Sequence, residues 1–194
     1  SEYVEYQHKD WRREQVNILI SGIHDLITEF NEENNRDVQF GISPAAGWAP
    51  AISSTCPAYP NGYAMEGGME GYPCYGYSSY NDLYADTRKW VKEEWLDYIL
   101  PQNYFELGRY HEEITDWWSR QVEGTTVKLY MGIGLYQFEN YSYLKADEYI
   151  SQFRFNQQYK NVEGLVIFSY RSLTSPKSSK WKEGVELINE YWNV

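Results

Sequence analysis

Positive charge, cysteine, histidine and long apolar runs are all scarce in this chain of 194 residues, and each shortage excludes something. Seventeen basic residues stand against 28 acidic ones, a net charge of −11. A nucleic acid held through its phosphates needs a basic face that displaces counterions, so that balance argues against such a partner. The apolar stretches are a few residues long, far below the roughly 20 that a membrane helix needs. No basic leader followed by an apolar run is present, so no signal peptide is expected within these residues. His8, His24 and His111 lie far apart and there is no C-x-x-C, so no metal site and no cofactor is expected. The two cysteines, Cys56 and Cys74, share one Gly/Pro/Tyr-rich stretch. They can form a disulfide in an extracytoplasmic protein or remain free thiols, and their spacing leaves both open.

What is abundant is aromatic. Twenty tyrosines, eight tryptophans and seven phenylalanines bring aromatic content to 18%. Tyr and Trp join a flat apolar face to a polar handle, which suits both a core and a surface that binds uncharged, amphipathic ligands such as sugars.

Periodicity predicts alternating helices and strands. Asp10 reads as the N-cap of a helix to about Phe30, with Val16, Leu19, Ile20, Ile23, Leu26, Ile27 and Phe30 on its apolar side. A strand over 38–43 follows, then an irregular segment to Ser79, and a helix from Asn81 or Asp82 to Trp95. Further strands are predicted over 98–104, 127–134 and 164–170, and helices over 110–122, 146–159 and 181–192, with Gly124 as a C-cap. Strands separated by helices pair in parallel, giving an α/β fold. Side chains alternate along a strand, so Tyr98, Leu100, Gln102 and Tyr104 share one face. We expect that face to point inward, with Ile99, Pro101 and Asn103 under the helices.

Several motifs fail. Gly132-Ile133-Gly134 begins a dinucleotide fingerprint, but Gln137 stands where its third glycine belongs. There is no phosphate loop. Gly41-Ile42-Ser43-Pro44 resembles a nucleophile elbow, yet proline has no N–H to offer an oxyanion hole. Ligands of parallel α/β folds sit at the C-terminal strand ends. That rule selects Ser43 and Trp48, then Gln102, Tyr104 and Glu106, then Tyr136, Gln137 and Glu139, and finally Ser169, Tyr170 and Arg171. We take Ser43, Trp48, Gln102, Tyr104, Tyr136 and Ser169 as candidate substrate-binding residues and Glu106 as a candidate catalytic carboxylate. Glycoside hydrolysis needs two carboxyl groups, so Glu106 or Glu139 alone is insufficient.

Asp10-Trp11-Arg12-Arg13-Glu14-Gln15-Val16-Asn17 resembles the D-W-R-R-x-x-V-N helix start of glycosyl-hydrolase-like family 10 proteins. Gly41–Pro44, Tyr84–Val91, Asp97–Tyr104, Trp117-Trp118, Leu129–Gly132 and Val166–Ser169 resemble further family motifs in the same order. The resemblance implies a TIM-type (β/α)8 barrel of which this chain supplies about four βα units, strands five to eight. Residues 1–194 would form one domain, the C-terminal half of that barrel, with 45–79 as an irregular loop insertion. Ala51–Ser79 is not part of the recognised pattern. The resemblance further implies an envelope lipoprotein or secreted protein, and a glycan-strand substrate, in some members peptidoglycan stripped of its peptides. The family's Asp-Asp pair would lie upstream of Asp10, so the fragment alone is expected to be inactive. It is expected to pair with the N-terminal half or with a second copy of itself. The rival reading is a non-catalytic carbohydrate-binding or adhesion module on the same scaffold; a small-metabolite enzyme is disfavoured by the missing phosphate and cofactor motifs.

Overall fold

The computed structural model describes residues 2–192. It opens on helix α1 (Glu2–Asn34), which passes straight through the expected start at Asp10. No Gly or Pro precedes Asp10 to stop a helix. Instead of capping, Asp10 pairs with Arg13 Nη1 at 2.6 Å and accepts from the Tyr59 hydroxyl at 2.8 Å. Asn35, with φ 48°, ends the helix. The side of α1 that packs inward is partly polar. Arg13 is buried, lies 3.6 Å from the Tyr80 ring centroid and donates to the Tyr80 carbonyl. Asn17 Oδ1 accepts the Trp90 indole N–H at 2.8 Å. Ile20 completes the buried side, whereas Leu19, Leu26 and Phe30, which the spacing assigned to the core, are exposed.

Strands β1 (Gly41–Ile42), β2 (Tyr98–Ile99), β3 (Lys128–Gly134) and β4 (Val162–Phe168) form one parallel sheet in chain order. The α/β class and the parallel pairing therefore stand. The first two ladders are shorter than predicted. Proline at 101 has no N–H to donate, although Leu100 N–H still reaches the Ile42 carbonyl and Gln102 N–H the Pro44 carbonyl.

The helix predicted up to Trp95 is broken in two, α2 (Ser79–Asp82) and α3 (Thr87–Lys92). Tyr84 adopts a left-handed φ of 53°, and Asp86 caps α3 by accepting from Lys89 N–H. Beyond β2 come α4 (His111–Val122), α5 (Gln137–Asn140), α6 (Glu148–Asn156), α7 (Tyr170–Thr174) and α8 (Ser179–Trp192). The short α5 and α7, at the C-terminal ends of β3 and β4, are absent from the sequence reading.

The expected strand register holds. Ile99, Leu129, Met131 and Ile133 are fully buried beneath the helices, packed with Trp117, Trp118 and Phe153 in two adjoining apolar clusters. Asn103 shares that side and donates to the His111 carbonyl and to Thr115 Oγ1. The opposite face carries Tyr98, Tyr130, Val166 and Phe168, and among the described residues no helix covers it; Val166 is 42% and Phe168 54% exposed.

The segment between β1 and α2 is ordered and contributes to the core. Bridges pair Pro50 with Met69 and Ala51 with Met65, and Met69, Ala49 and Ala64 are buried. Cys56 and Cys74 form a disulfide across a separation of 18 residues, which resolves the open question about the thiols.

Candidate active site

A cavity of about 390 Å3 opens at the C-terminal ends of the strands, between the segment after β2 and the disulfide-closed loop. Gln102, Tyr104 and Glu106 form one side and Tyr72, Pro73 and Tyr77 the other. Two glycines permit these walls. A Cβ at Gly47 would stand 2.3 Å from the Tyr72 ring, and one at Gly134 would stand 2.8 Å from Tyr104 Cβ. The rings of Tyr72 and Tyr104 therefore lie directly against backbone. Tyr72 is held further by its hydroxyl, which donates to the Tyr77 carbonyl, and burial pushes its pKa up to about 12.

Glu106 is the one carboxylate among the described residues lining this cavity, and its side chain is 13% exposed. Tyr143 donates to its Oε1 at 2.8 Å, and Arg109 approaches the same oxygen at 3.4 Å. Burial pushes the carboxyl pKa up, but the hydrogen bonds from Tyr143, its own backbone and Arg109 outweigh that, and the result is below the ordinary value. Glu106 is thus ionised at neutral pH. It can accept from a sugar hydroxyl or stabilise developing positive charge, but it is unsuited to serve as the general acid, which needs a raised pKa.

A second, smaller pocket lies at the ends of β3 and β4, lined by Tyr136, Glu139, Ser169, Arg171 and Lys177 among others. Lys177 pairs with Glu139 at 2.5 Å. Three stacked or edge-on rings separate the two pockets: Tyr104 meets Tyr136 at 5.8 Å and Phe168 at 5.9 Å, and Tyr136 meets Phe168 at 5.9 Å. The structure therefore brings Gln102, Tyr104 and Glu106 to one cavity and Tyr136 and Ser169 to its neighbour.

Ser43 lines neither; it supports Gln102, whose Nε2 donates to the Ser43 carbonyl, while Ser43 Oγ donates to the Leu100 carbonyl. Trp48 is corrected outright. It is 3% exposed, stacks on Trp117 at 5.5 Å and donates its indole N–H to Asp86, so it belongs to the core. Sequence reasoning missed Tyr72, Tyr77, Arg109, Tyr141 and Tyr143. The crowding of Tyr, Gly and Pro over 45–79 was the available signal for the first two; Arg109 and Tyr143 carried none. Among the described residues no group of three or more His, Cys, Asp or Glu side chains is placed to hold a metal ion, and no helix is long and apolar enough to cross a membrane.

An aromatic cleft around an ionised glutamate, at the C-terminal ends of parallel strands, is the setting in which the family resemblance can be tested. The model of the glycosyl hydrolase-like 10 family matches residues 3–151. The chain belongs to the glycosyl hydrolase-like 10 family. Among curated members it is similar to the glycosyl hydrolase YngK of Bacillus subtilis (strain 168), with 34% identity over 170 residues, 84% of this chain and 30% of that protein. It is 27% identical to the glycosyl hydrolase DigH of Escherichia coli (strain K12) over 194 residues, covering 94% of this chain and 39% of that relative. The same identity and coverage hold for DigH of Escherichia coli O6:H1. The chain thus spans between three-tenths and two-fifths of the length of the curated relatives it matches.

Proposed function

We propose that this chain is the substrate-binding, C-terminal half of a glycoside hydrolase barrel, strands five to eight, which binds bacterial envelope glycan strands across the ends of its strands. The observation that carries this reading is the cleft itself: tyrosine rings on both walls, amide groups from Gln102 and Gln137, and an ionised Glu106. Aromatic faces stack on sugar rings, and amides and carboxylates bond their hydroxyls. Membership of a glycosyl hydrolase-like family supports the reaction class. A lone ionised carboxylate supplies one of two roles, so the second group comes from the other half of the barrel. The uncovered apolar face of the sheet and the exposed Trp11 and Leu26 of α1 support docking of that half. The disulfide supports an extracytoplasmic location, secreted or anchored at the envelope.

The lone, ionised carboxylate equally fits a second reading, a carbohydrate-binding module that has kept the scaffold without the reaction. Chitohexaose and peptide-free peptidoglycan strands, offered to the full-length parent protein and to this chain, separate the two. Binding by both proteins with cleavage by the parent alone supports the hydrolase. Binding without cleavage by either supports the module, and no binding by either overturns both.

A further inference from the structure

Behind the loop that carries Glu106 lies a buried polar cluster that does not line the cleft. Glu148, Gln152 and Asn156 are four residues apart on α6 and so share one face. Gln152 and Asn156 are buried, as are His111 and Thr115 of α4. Their hydrogen bonds converge on the two peptide groups flanking Glu106. The carbonyl of Phe105 receives Gln152 Nε2 at 3.3 Å and faces His111 Nδ1 at 3.1 Å. The N–H of Leu107 donates to Glu148 Oε1 at 2.9 Å, and Gln152 Nε2 donates to that same oxygen at 2.9 Å.

Burial drives the His111 pKa down, so the ring is neutral and donates from one nitrogen. Because a carbonyl can only accept, Nδ1 must carry the proton. Nε2, 3.1 Å from the Asn156 side-chain amide, then accepts, which turns the NH2 of Asn156 toward it. In that orientation the NH2 also faces Thr115 Oγ1, 3.2 Å away, which then accepts instead of donating to Asn156 Oδ1, and the amide position left without a partner is the oxygen's instead of the NH2's.

Polar groups in a core cost desolvation that apolar side chains of the same shape would avoid, so stability alone does not explain this cluster. We propose that His111, Gln152 and Glu148 form a positioning frame that fixes where the Glu106 carboxylate stands in the cleft. It grips the backbone before and after Glu106 and leaves the side chain free to meet Tyr143 and Arg109. Those two contacts, at 2.8 and 3.4 Å, do not survive a shift of about 1 Å, so a loosened loop changes the chemistry of the site before it changes the fold. The proposal rests on the reading of Glu106 as the carboxylate of the cleft.

Two NMR measurements on this chain test it. With 15N-labelled histidine, His111 is expected as the Nδ1–H tautomer at neutral pH; the Nε2–H tautomer overturns the frame. With 13C-labelled glutamate, the Glu106 titration is followed in wild type, Gln152→Met, His111→Leu and His111→Asn. The charged and titratable groups to account for are Arg109 and Tyr143, which face Glu106, together with Glu148 on α6 and Glu112 on α4. Gln152→Met and His111→Leu are expected to raise the Glu106 pKa toward its ordinary value. Asn places an amide N–H near the position of Nδ1, so His111→Asn is expected to keep the wild-type titration. An unmoved titration in folded Gln152→Met and His111→Leu overturns the proposal, and so does an equal shift in all three variants. If the leucine and methionine variants do not fold, the tautomer decides. Failure of wild type to bind chitohexaose, with these shifts intact, refutes the glycan reading and leaves the frame standing.

Discussion

The hydroxyl of Tyr143 donates to Oε1 of Glu106 at 2.8 Å, joining the segment after β3 to the segment after β2 across the mouth of the cleft. This bond stabilises the charged carboxyl and opposes the effect of burial. Removing it by Tyr143→Phe should raise the Glu106 pKa. In the native protein the stabilisation is present above the ordinary value near 4.5 and is lost as the pH falls through the lower, folded value. Glycan affinity measured against pH should therefore fall at a higher pH in Tyr143→Phe than in wild type.

Tyr104 is ringed by Tyr136 and Phe168, and Gly134 lets it lie flat on β3. Tyr104→Ala should weaken chitohexaose binding by about fivefold, an aromatic contact being worth roughly 1 kcal/mol. Circular dichroism should remain unchanged, because the ring lies on the uncovered face rather than beneath the helices. Calorimetry that returns the wild-type affinity would remove Tyr104 from the site.

Asn17→Leu should cost about 2 kcal/mol in urea unfolding, because it strands the buried Trp90 indole N–H. The loss should be recovered in part by Trp90→Phe in the same chain, which removes the orphaned donor along with its partner.

Closing a loop of the length between Cys56 and Cys74 stabilises a fold by about 3 kcal/mol. Cys56→Ser with Cys74→Ser should therefore lower the melting temperature and also weaken glycan binding, since Tyr72 stands on that loop and Tyr77 follows just beyond Cys74. A lower melting temperature with intact affinity would show that the loop wall is dispensable for binding.

His111 is held neutral below the pH at which an exposed histidine takes up its proton. The unfolded chain binds that proton as the pH falls through about 6.5 while the folded chain does not. Stability should therefore decline from pH 7 toward pH 5, with net proton uptake on unfolding from this residue. His111→Asn should flatten that part of the stability curve.

The strands were legible because each is a short β-rich run between helical periodicities, and the alternation in Tyr98–Tyr104 assigned the faces correctly. Gln102, Tyr104 and Glu106 followed from that register. Trp48 was misplaced because proximity to a strand end says nothing about which way the next few residues turn; Asp86 and Trp117, distant in sequence, draw its ring inward. The apolar spacing of α1 counted Leu19, Leu26 and Phe30 as core, whereas the inward side is set by Arg13 on Tyr80 and Asn17 on Trp90. Polar residues with a single long-range partner are invisible to periodicity. The same holds for the cleft's far wall, which depends on Cys56 meeting Cys74.

The strands lie in the sheet in the order in which they occur in the chain, β1 to β4. No later strand has to be threaded between two earlier ones. As the polypeptide leaves a ribosome at about 5–20 residues per second, each βα unit can dock on a finished neighbour and wait for the next. Both cysteines precede β2 in the chain, so the bond that closes one wall of the cleft involves none of the residues of the wall that faces it. The binding surface is assembled last, by accretion, from pieces that are already folded.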